Sequence, residues 1–365
     1  MTTTINNEHK KLNVPNLRFP EFKGEWEMCK FKDVCSTSTG NKNTQDKIDD
    51  GIYPFYVRSQ TVERINSWTF DGEAILTAGD GVGVGKVFHH TYGKIGVHQR
   101  VYILSNFKCD ANYLFHFFSS NFYNRVKRMS AKNSVDSVRK EMITEMPLYL
   151  PSEQEQTKIG VLLSLLDERI ATQNKIIDKL QSLIKGIAQH CIRELINGWE
   201  YVRLGDICKI TTGKLDANAQ VENGQYPFFT CAERPFNIDS YAFDTEALLI
   251  SGNGANLGYI NYYKGKFNAY QRTYVLDHFS VNIQYVKWAL KILLPQRIAI
   301  EKSSSNTPYI VLSTLADLKI PIPNNSKQNH IADLMMSFER KLSTQLALSD
   351  LYNKQKQYLL RQMFI

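Results

Sequence analysis

Short runs of alternating apolar and polar residues, closed off by Gly, Asn, Asp and Pro, dominate the chain from residue 26 to residue 150. YPFYV, EAILTA, GKVFHH and RVYILS are such runs and are predicted strands. A longer stretch without Gly or Pro, ANYLFHFFSSNFYNRVKRM, follows and is predicted helical. Past Pro151 the period lengthens. Ile159, Leu162, Leu166, Ile170, Gln173, Ile177, Leu180, Ile184 and Ile187 recur at spacings of three and four, which is one stripe of a helix. Ser152, with Glu155 three residues later, predicts a capping box at its start. A helix over 153–196 would be roughly 66 Å long at about 1.5 Å per residue.

The same order then returns. YPFY at 53–56 reappears as YPFF at 226–229, and EAIL at 73–76 as EALL at 246–249. Trp26-Glu27, Cys35, Thr39-Gly40, Phe70-Asp71, Gly79, Gly81 and Gly85 each have a counterpart 173 residues on. After one deletion the step becomes 172: Gln99-Arg100 matches Gln271-Arg272, and Pro151, Gln156 and Ile159 match Pro323, Gln328 and Ile331. GYINYY, RTYVLD and the helical NIQYVKWALKILLPQRI complete the second copy. A period of about 170 residues means duplicated domains, since solenoid repeats run roughly 20–50.

The expected fold is therefore α/β: two tandem, mostly-β heads, each with a mixed or antiparallel sheet, and two long helices. The expected boundaries are 1–150 for an N-terminal segment and the first head, 151–197 for the first long helix, 198–322 for the second head and 323–365 for the second long helix. A helix this long cannot bury its stripe against a small head alone, so its expected partner is its own repeat in an antiparallel coiled coil. Ile159, Leu166, Ile170 and Leu180 of the first helix, with Ile331, Phe338 and Leu342 of the second, are the expected core of that pair. Antiparallel pairing of two like units would relate the heads by a pseudo-two-fold axis; two loosely tethered domains with unrelated helices are the alternative.

Composition narrows the class. At 365 residues, with 19 Tyr, 19 Phe and 4 Trp, there is ample material for two cores. No stretch of about 18 apolar residues occurs, so no membrane span is expected. MTTTINNEHKK has no apolar segment of the kind a secretory signal carries. The six cysteines show neither CxxC nor zinc spacing and read as reduced thiols of a cytoplasmic protein. A net charge of +8 favours a polyanionic partner without proving one.

Catalytic motifs fail on inspection. TAGDGVGVGK invites a phosphate-loop reading, but Asp80 stands where a Walker loop needs Gly, and Val87 where Ser or Thr should follow Lys86. The copy SGNGANLGYI lacks the Lys. A tight turn between strands, or a turn that also approaches a phosphate backbone, remains. Asp71-x-Glu73 and Asp244-x-Glu246 lack the lysine of a metal nuclease, with Ala74 and Ala247 in the way. His89-His90 has no HExxH context, and no metal site or catalytic residue is expected.

The features that remain suit binding. Arg125, Lys127, Arg128, Lys132 and Arg139 cluster near the end of the first head with Asn133, and Arg297, Lys302, Ser305 and Asn306 near the end of the second. Lys and Arg suit phosphates, and Arg, Asn and Gln can read base edges bidentately. Gln99-Arg100 and Gln271-Arg272 stand in both copies, while the stretch after YPF differs: VRSQTVERINS against TCAERPFNIDS. The candidate DNA contacts are Arg58, Ser59, Gln60, Lys86, Gln99, Arg100, Arg128, Lys132, Asn133 and Arg139 in the first head. In the second they are Arg234, Asn253, Asn256, Gln271, Arg272, Lys302, Ser305 and Asn306.

The order LRFPEFKGEWE, YPFY, FDGEAILTAGDGVGVGKV, then a Pro followed by EQ..I and a long helix, resembles the specificity subunit of bacterial type I restriction-modification systems. IPIPNNSKQNHI closes the second copy in the same way, with Lys327-Gln328 in place of EQ. The resemblance implies two target recognition domains reading the halves of a bipartite site in double-stranded DNA, and a helix pair that sets the gap and docks two methyltransferase subunits. Those partners would carry S-adenosylmethionine and flip the adenine, and restriction subunits would add ATP- and Mg-dependent translocation. The chain itself would be a non-catalytic subunit. A stand-alone DNA-cleaving or DNA-modifying enzyme, and a non-DNA scaffold with two ligand-binding heads, are the competing readings.

Overall fold

In a computed structural model the described residues are 13–130, 137–194, 199–302 and 309–365. They form two compact units, one comprising Met1–Asn174 with Leu348–Ile365 and the other Lys175–Ala347.

The first unit runs β1 (Glu27–Lys30), α1 (Phe31–Val34), β2 (Ser36–Thr39), β3 (Tyr53–Tyr56), β4 (Val62–Ile65), β5 (Phe70–Ala78), β6 (Phe88–Val97), β7 (Val101–Ser105), α2 (Ala111–Met129), α3 (Lys140–Thr144), β8 (Pro147–Leu150) and the start of α4 (Glu153–Gln189). Its six-stranded sheet has the order β2-β7-β5-β6-β3-β4. Every pairing is antiparallel except β3 with β6, so the sheet is mixed. β1 and β8 form a separate antiparallel ribbon. The predicted run GKVFHH enters β6 only at Phe88, because Gly85, Lys86 and Val87 belong to the preceding turn.

The strand period of two decides which residue faces which core. Ile75 and Leu104 point to the face covered by α2, into a cluster with Phe117, Phe118, Phe122, Ile159 and Leu163. Ala74, Leu76, Val101 and Ile103 point the other way, into a smaller cluster with Tyr56, Ile95 and Val97. β5 is buried on both faces over its last five residues, which is why EAILTA reads as a nearly continuous apolar run.

The second unit repeats this with β9 (Glu200–Arg203), α5 (Leu204–Ile207), β10 (Lys209–Thr212), β11 (Tyr226–Phe229), β12 (Phe236–Ile238), β13 (Phe243–Ser251), β14 (Ile260–Ala269), β15 (Thr273–Asp277), α6 (Ile283–Lys302), α7 (Leu312–Ala316), β16 (Lys319–Ile322) and α8 (Asn325–Gln362). The sheet order, β10-β15-β13-β14-β11-β12, matches strand for strand. Leu248 and Ile250 face the helical side, and Ala247 and Leu249 the smaller cluster. α6 continues through Pro295, which cannot donate to the i−4 carbonyl.

The long helices are paired within each unit. In the first, residues 153–174 of α4 run antiparallel to residues 348–362 of α8. Arg169 Nε donates to Tyr352 Oη (2.8 Å) with its guanidinium over the ring, and Ser349 Oγ donates to Asn174 Oδ1 (3.0 Å). Lys356 pairs with Asp167. In the second unit Leu180, Ile184 and Ile187 share a cluster with Ile331, Met335, Phe338 and Leu342. Of the expected helix-pair core, Ile159, Leu166, Leu180 and Ile331 are buried, Phe338 and Leu342 are partly buried against the second unit's cluster, and Ile170 is half-buried. Leu163, fully buried, takes the place the spacing gave to Leu162. The α-helix ends at Gln189 and a π turn continues over His190–Glu194; the predicted end at Ile196 lies outside the described residues.

The capping box at the start of α4 is only half formed. Glu155 N donates to Ser152 Oγ (3.4 Å), but the Glu155 carboxylate does not return to Ser152. It is fully buried and takes a bidentate bond from Arg18, 2.8 Å through Nε and 2.7 Å through Nη2. A buried carboxylate prefers a charged donor to a neutral N–H. The matched position is Lys327, whose ammonium stands 6.0 Å from the Trp199 ring.

The start of each long helix is joined to its head by one buried glutamine. Gln156 accepts from Asp110 N (3.0 Å) and donates to Pro151 O (2.9 Å). Gln328 accepts from Asn282 N (3.0 Å) and donates to Pro323 O (2.8 Å). Asp110 and Asn282 are themselves the residues that cap α2 and α6, accepting from Tyr113 N and Tyr285 N. The same two tyrosines donate their hydroxyls to Tyr149 O and Pro321 O at the ends of β8 and β16.

Two predictions follow from this packing. Gln156→Leu or Gln328→Leu strands a buried N–H and a buried carbonyl, and each should cost about 1–3 kcal/mol; an unchanged urea midpoint would contradict the role given to these residues. The second concerns acid. His116 on α2, 1% exposed, contacts Ser164 Oγ through Nε2 (3.3 Å) and Asp167 through Nδ1 (3.8 Å). Burial depresses it to about 4, against the pull of Asp167. The unfolded chain then binds the proton more readily, so stability is complete above the ordinary value of about 6.5 and falls as pH drops from there toward about 4. His89 and His98 are lowered by burial with the same sign. His116→Phe should therefore flatten, without abolishing, the acid slope of the urea midpoint, by at most about 1.4 kcal/mol per pH unit.

Candidate nucleic-acid interface

Three segments of the first head meet at one end of its sheet: the turn from β6 to β7, the Gly-rich loop after β5, and the loop after β3. The turn closes with Val101 N donating to His98 O (2.9 Å). Arg100 N donates to His98 Nδ1 (3.0 Å). Burial, helped by the nearby positive charge of Arg58 and Arg100, holds His98 below its usual value, so the ring is neutral and Nδ1 can accept that bond. Gly79 N then donates to Arg100 O (2.7 Å), and Val138 N to Gly79 O (2.7 Å). Tyr102 Oη donates to Val138 O (2.9 Å), fixing Val138 against the sheet.

The loop itself depends on glycine. Gly81 and Gly85 have φ of +72° and +65°, which side chains with a Cβ rarely adopt. A Cβ at Gly83 would lie 2.4 Å from the Arg58 carbonyl oxygen, so only glycine lets the loop lie against the segment after β3. This contact brings Arg58 and Arg100 to the same carboxylate. Arg58 Nη1 is 2.8 Å from Asp80 Oδ1, and Arg100 Nε is 3.7 Å from Asp80 Oδ2. Both arginine side chains stay open to solvent, 45% and 66% exposed.

The other candidates divide. Lys86 is exposed in the same loop, with its ammonium 5.6 Å from the Tyr123 ring. Ser59 and Gln60 are exposed; Ser59 Oγ donates to Thr61 O (3.1 Å) and its carbonyl meets His89 Nε2 (3.2 Å). Gln99 is drawn toward Asn43, donating to Oδ1 at 2.7 Å. Arg128 is exposed but bonds the Asn124 carbonyl of its own helix, and Arg139 reaches Met129 O at 3.5 Å. Arg125 is structural: Nε and Nη2 bond Met142 O (2.7 Å) and Glu145 O (2.8 Å). Lys132, Asn133, Ser305, Asn306 and the Lys302 side chain lie outside the described residues.

The second head keeps the frame and changes what it carries. Gly252 N donates to Arg272 O (2.8 Å), Ile310 N to Gly252 O (2.9 Å) and Tyr274 Oη to Ile310 O (2.9 Å). Where the first head has Arg58 the second has Cys231, and where it has Asp80 the second has Asn253. Asn256 Nδ2 donates to Cys231 O (3.0 Å), replacing the glycine contact. Arg234, Gln271 and Arg272 are exposed and Asn253 is half-buried.

The residues weighed for catalysis are engaged otherwise. Glu73 meets His90 Nε2 (3.0 Å), and Glu246 takes the Tyr262 hydroxyl (2.7 Å). Burial pushes the Cys35, Cys109 and Cys208 thiols up to about 12, far from a nucleophile's range. Sequence reading missed Asp80 as a site residue. It also missed Tyr102 and Tyr274, although both stand at the same place in the repeated RVYILS and RTYVLD.

The family model for the type I restriction modification DNA specificity domain matches residues 23–182 and 196–348. The type I restriction enzyme EcoDI specificity subunit of Escherichia coli is 44% identical over 149 residues, 41% of this chain and 31% of that protein. The MjaIX specificity subunit of Methanocaldococcus jannaschii is 24% identical over 253 residues, 58% of this chain and 59% of that one. The chain thus spans less than two thirds of the length of these two relatives. In fold it is similar to the type I restriction-modification system S subunit from M. genitalium, with a TM-score of 0.75 at 17% identity, covering 96% of this chain and 99% of the other. A chain from a structure of type I R-M complex assembly and conformational transition aligns with a TM-score of 0.54 at 16% identity, covering 92% and 96%. With both copies of its repeat matched by the family model, the chain belongs to the type I restriction modification DNA specificity domain family.

Proposed function

We propose that this chain selects the DNA sequence for a type I restriction-modification complex. Each head reads one half of a bipartite site in double-stranded DNA. α4 and α8 fix the gap between the halves and dock two methyltransferase subunits, which bind S-adenosylmethionine; restriction subunits supply the ATP- and Mg-dependent steps. The chain itself is non-catalytic and works in the cytoplasm, a reading its free cysteines favour.

The observation that carries this reading is the contrast between the two heads. The bonds that hold the Arg100 carbonyl recur around Arg272, while Tyr270 replaces His98 and the neighbouring side chains differ. A constant frame with variable polar decoration is what two readers of different sequences require. The net charge of +8 supplies attraction for phosphate without specificity. The relatives named as specificity subunits point the same way.

Binding of a duplex should weaken steeply with salt, log K falling by about 0.9 per phosphate neutralised for each decade of salt. Arg100→Ala and Arg272→Ala should each reduce it; a flat salt response would favour a non-DNA scaffold. Exchanging residues 26–150 for those of another family member should change one half-site and spare the other, and a change in both would sink the modular reading. Inserting one helical turn into α4 and α8 together should change the gap, and an unchanged gap would refute the spacing role.

A further inference from the structure

Asp80 is out of place on a surface that approaches phosphate. A carboxylate there repels the backbone and lowers non-specific affinity. Yet it sits between two exposed arginines of the first head, 2.8 Å from Arg58 Nη1 and 3.7 Å from Arg100 Nε, and is itself only 24% exposed. Two guanidinium groups would repel one another without it.

The geometry of the Arg100 contact is specific. The backbone of Arg100 is held on both sides, its N–H by His98 and its carbonyl by Gly79. The Arg100 side chain meets the Asp80 carboxylate through Nε at 3.7 Å, an ion contact longer than a hydrogen bond. Its two terminal nitrogens make no hydrogen bond among the described residues, and the side chain is 66% exposed. Two parallel N–H donors match the O6 and N7 acceptors that guanine alone presents in the major groove. A guanidinium held from behind loses less rotamer freedom on binding, and a wrong base leaves its donors unpaired.

We propose that Asp80 is a positioning residue for specificity: it aims Arg100, with Arg58 beside it, at a guanine in the first half-site. The inference rests on the DNA-reading function proposed above and names a base and the residue that enforces it. The second head is a built-in contrast. Arg272 has the matching carbonyl restraint from Gly252, but Tyr270 replaces His98, Cys231 the second arginine and Asn253 the carboxylate. Among the described residues no carboxylate is paired with Arg272. Its head should tolerate other bases at the matched position.

The test uses the full chain as wild type, Asp80→Asn and Asn253→Asp, with selection from a random-sequence duplex library and titration against unselected random duplex. Asp80→Asn should lose its guanine preference at one position of the first half-site, on the order of ten-fold, and keep every other position. It should bind random duplex as tightly as wild type or more tightly, because a repulsive charge is gone. Asn253→Asp should gain a guanine preference at one position of the second half-site. A retained guanine preference in Asp80→Asn, weaker binding to random duplex, or no gain in Asn253→Asp would each overturn the assignment while leaving the wider function standing. A wild-type chain that selects no bipartite sequence would overturn both. The Asn253→Asp arm decides the matter should Asp80→Asn fail to fold.

Discussion

A buried glutamine side chain has four hydrogen-bonding positions to satisfy, and Gln156 and Gln328 use theirs on backbone that belongs to two different elements. One end takes the N–H of the residue that caps the head's long helix; the other gives to the carbonyl of the proline that precedes the spacer helix. These bonds, together with the apolar packing of Ile159 and Leu163 in the first unit and of Ile331 and Met335 in the second, set the angle at which α4 or α8 leaves its head. The tyrosine hydroxyls on Tyr149 O and Pro321 O hold the adjoining strand to the same joint. The proposed spacing role requires each helix to leave its head at a fixed angle, and this joint provides one in each unit.

The heads follow the same economy at the end proposed to bind DNA. Main-chain bonds from Gly79 and Gly252, and hydroxyls from Tyr102 and Tyr274, fix one arginine backbone per head. The residues free to differ are those that make no part of this frame: Arg58 against Cys231, Asp80 against Asn253, Gly83 against Asn256. A change of target then needs no change of fold.

Much of this was legible in the chain. The repeat located both heads, and ANYLFHFFSSNFYNRVKRM is α2 from its first residue to its last, since an aspartate caps it and no Gly or Pro interrupts it. The stripe of α4 was read to within one position: Leu163 rather than Leu162 is buried, because both fit a period of 3.6 and only the neighbouring cluster distinguishes them. Glu155 misled, since its sequence neighbour Ser152 suggested a cap while its partner, Arg18, lies 137 residues away. Asp80 was hidden for the same reason: ion pairs across loops leave no periodic mark. Its trace was in the alignment of the two copies, where the arginine and its carboxylate are lost together.

The central claim is that this chain, and not its partners, decides which sequence is modified. The most direct measurement is the methylome of cells carrying this chain together with a methyltransferase subunit of its system, compared with cells lacking this chain alone. The account expects a two-part adenine-methylated motif, with a fixed gap, that is present in the first and absent from the second. The same motif in both, with the chain expressed and folded in the first, would contradict it.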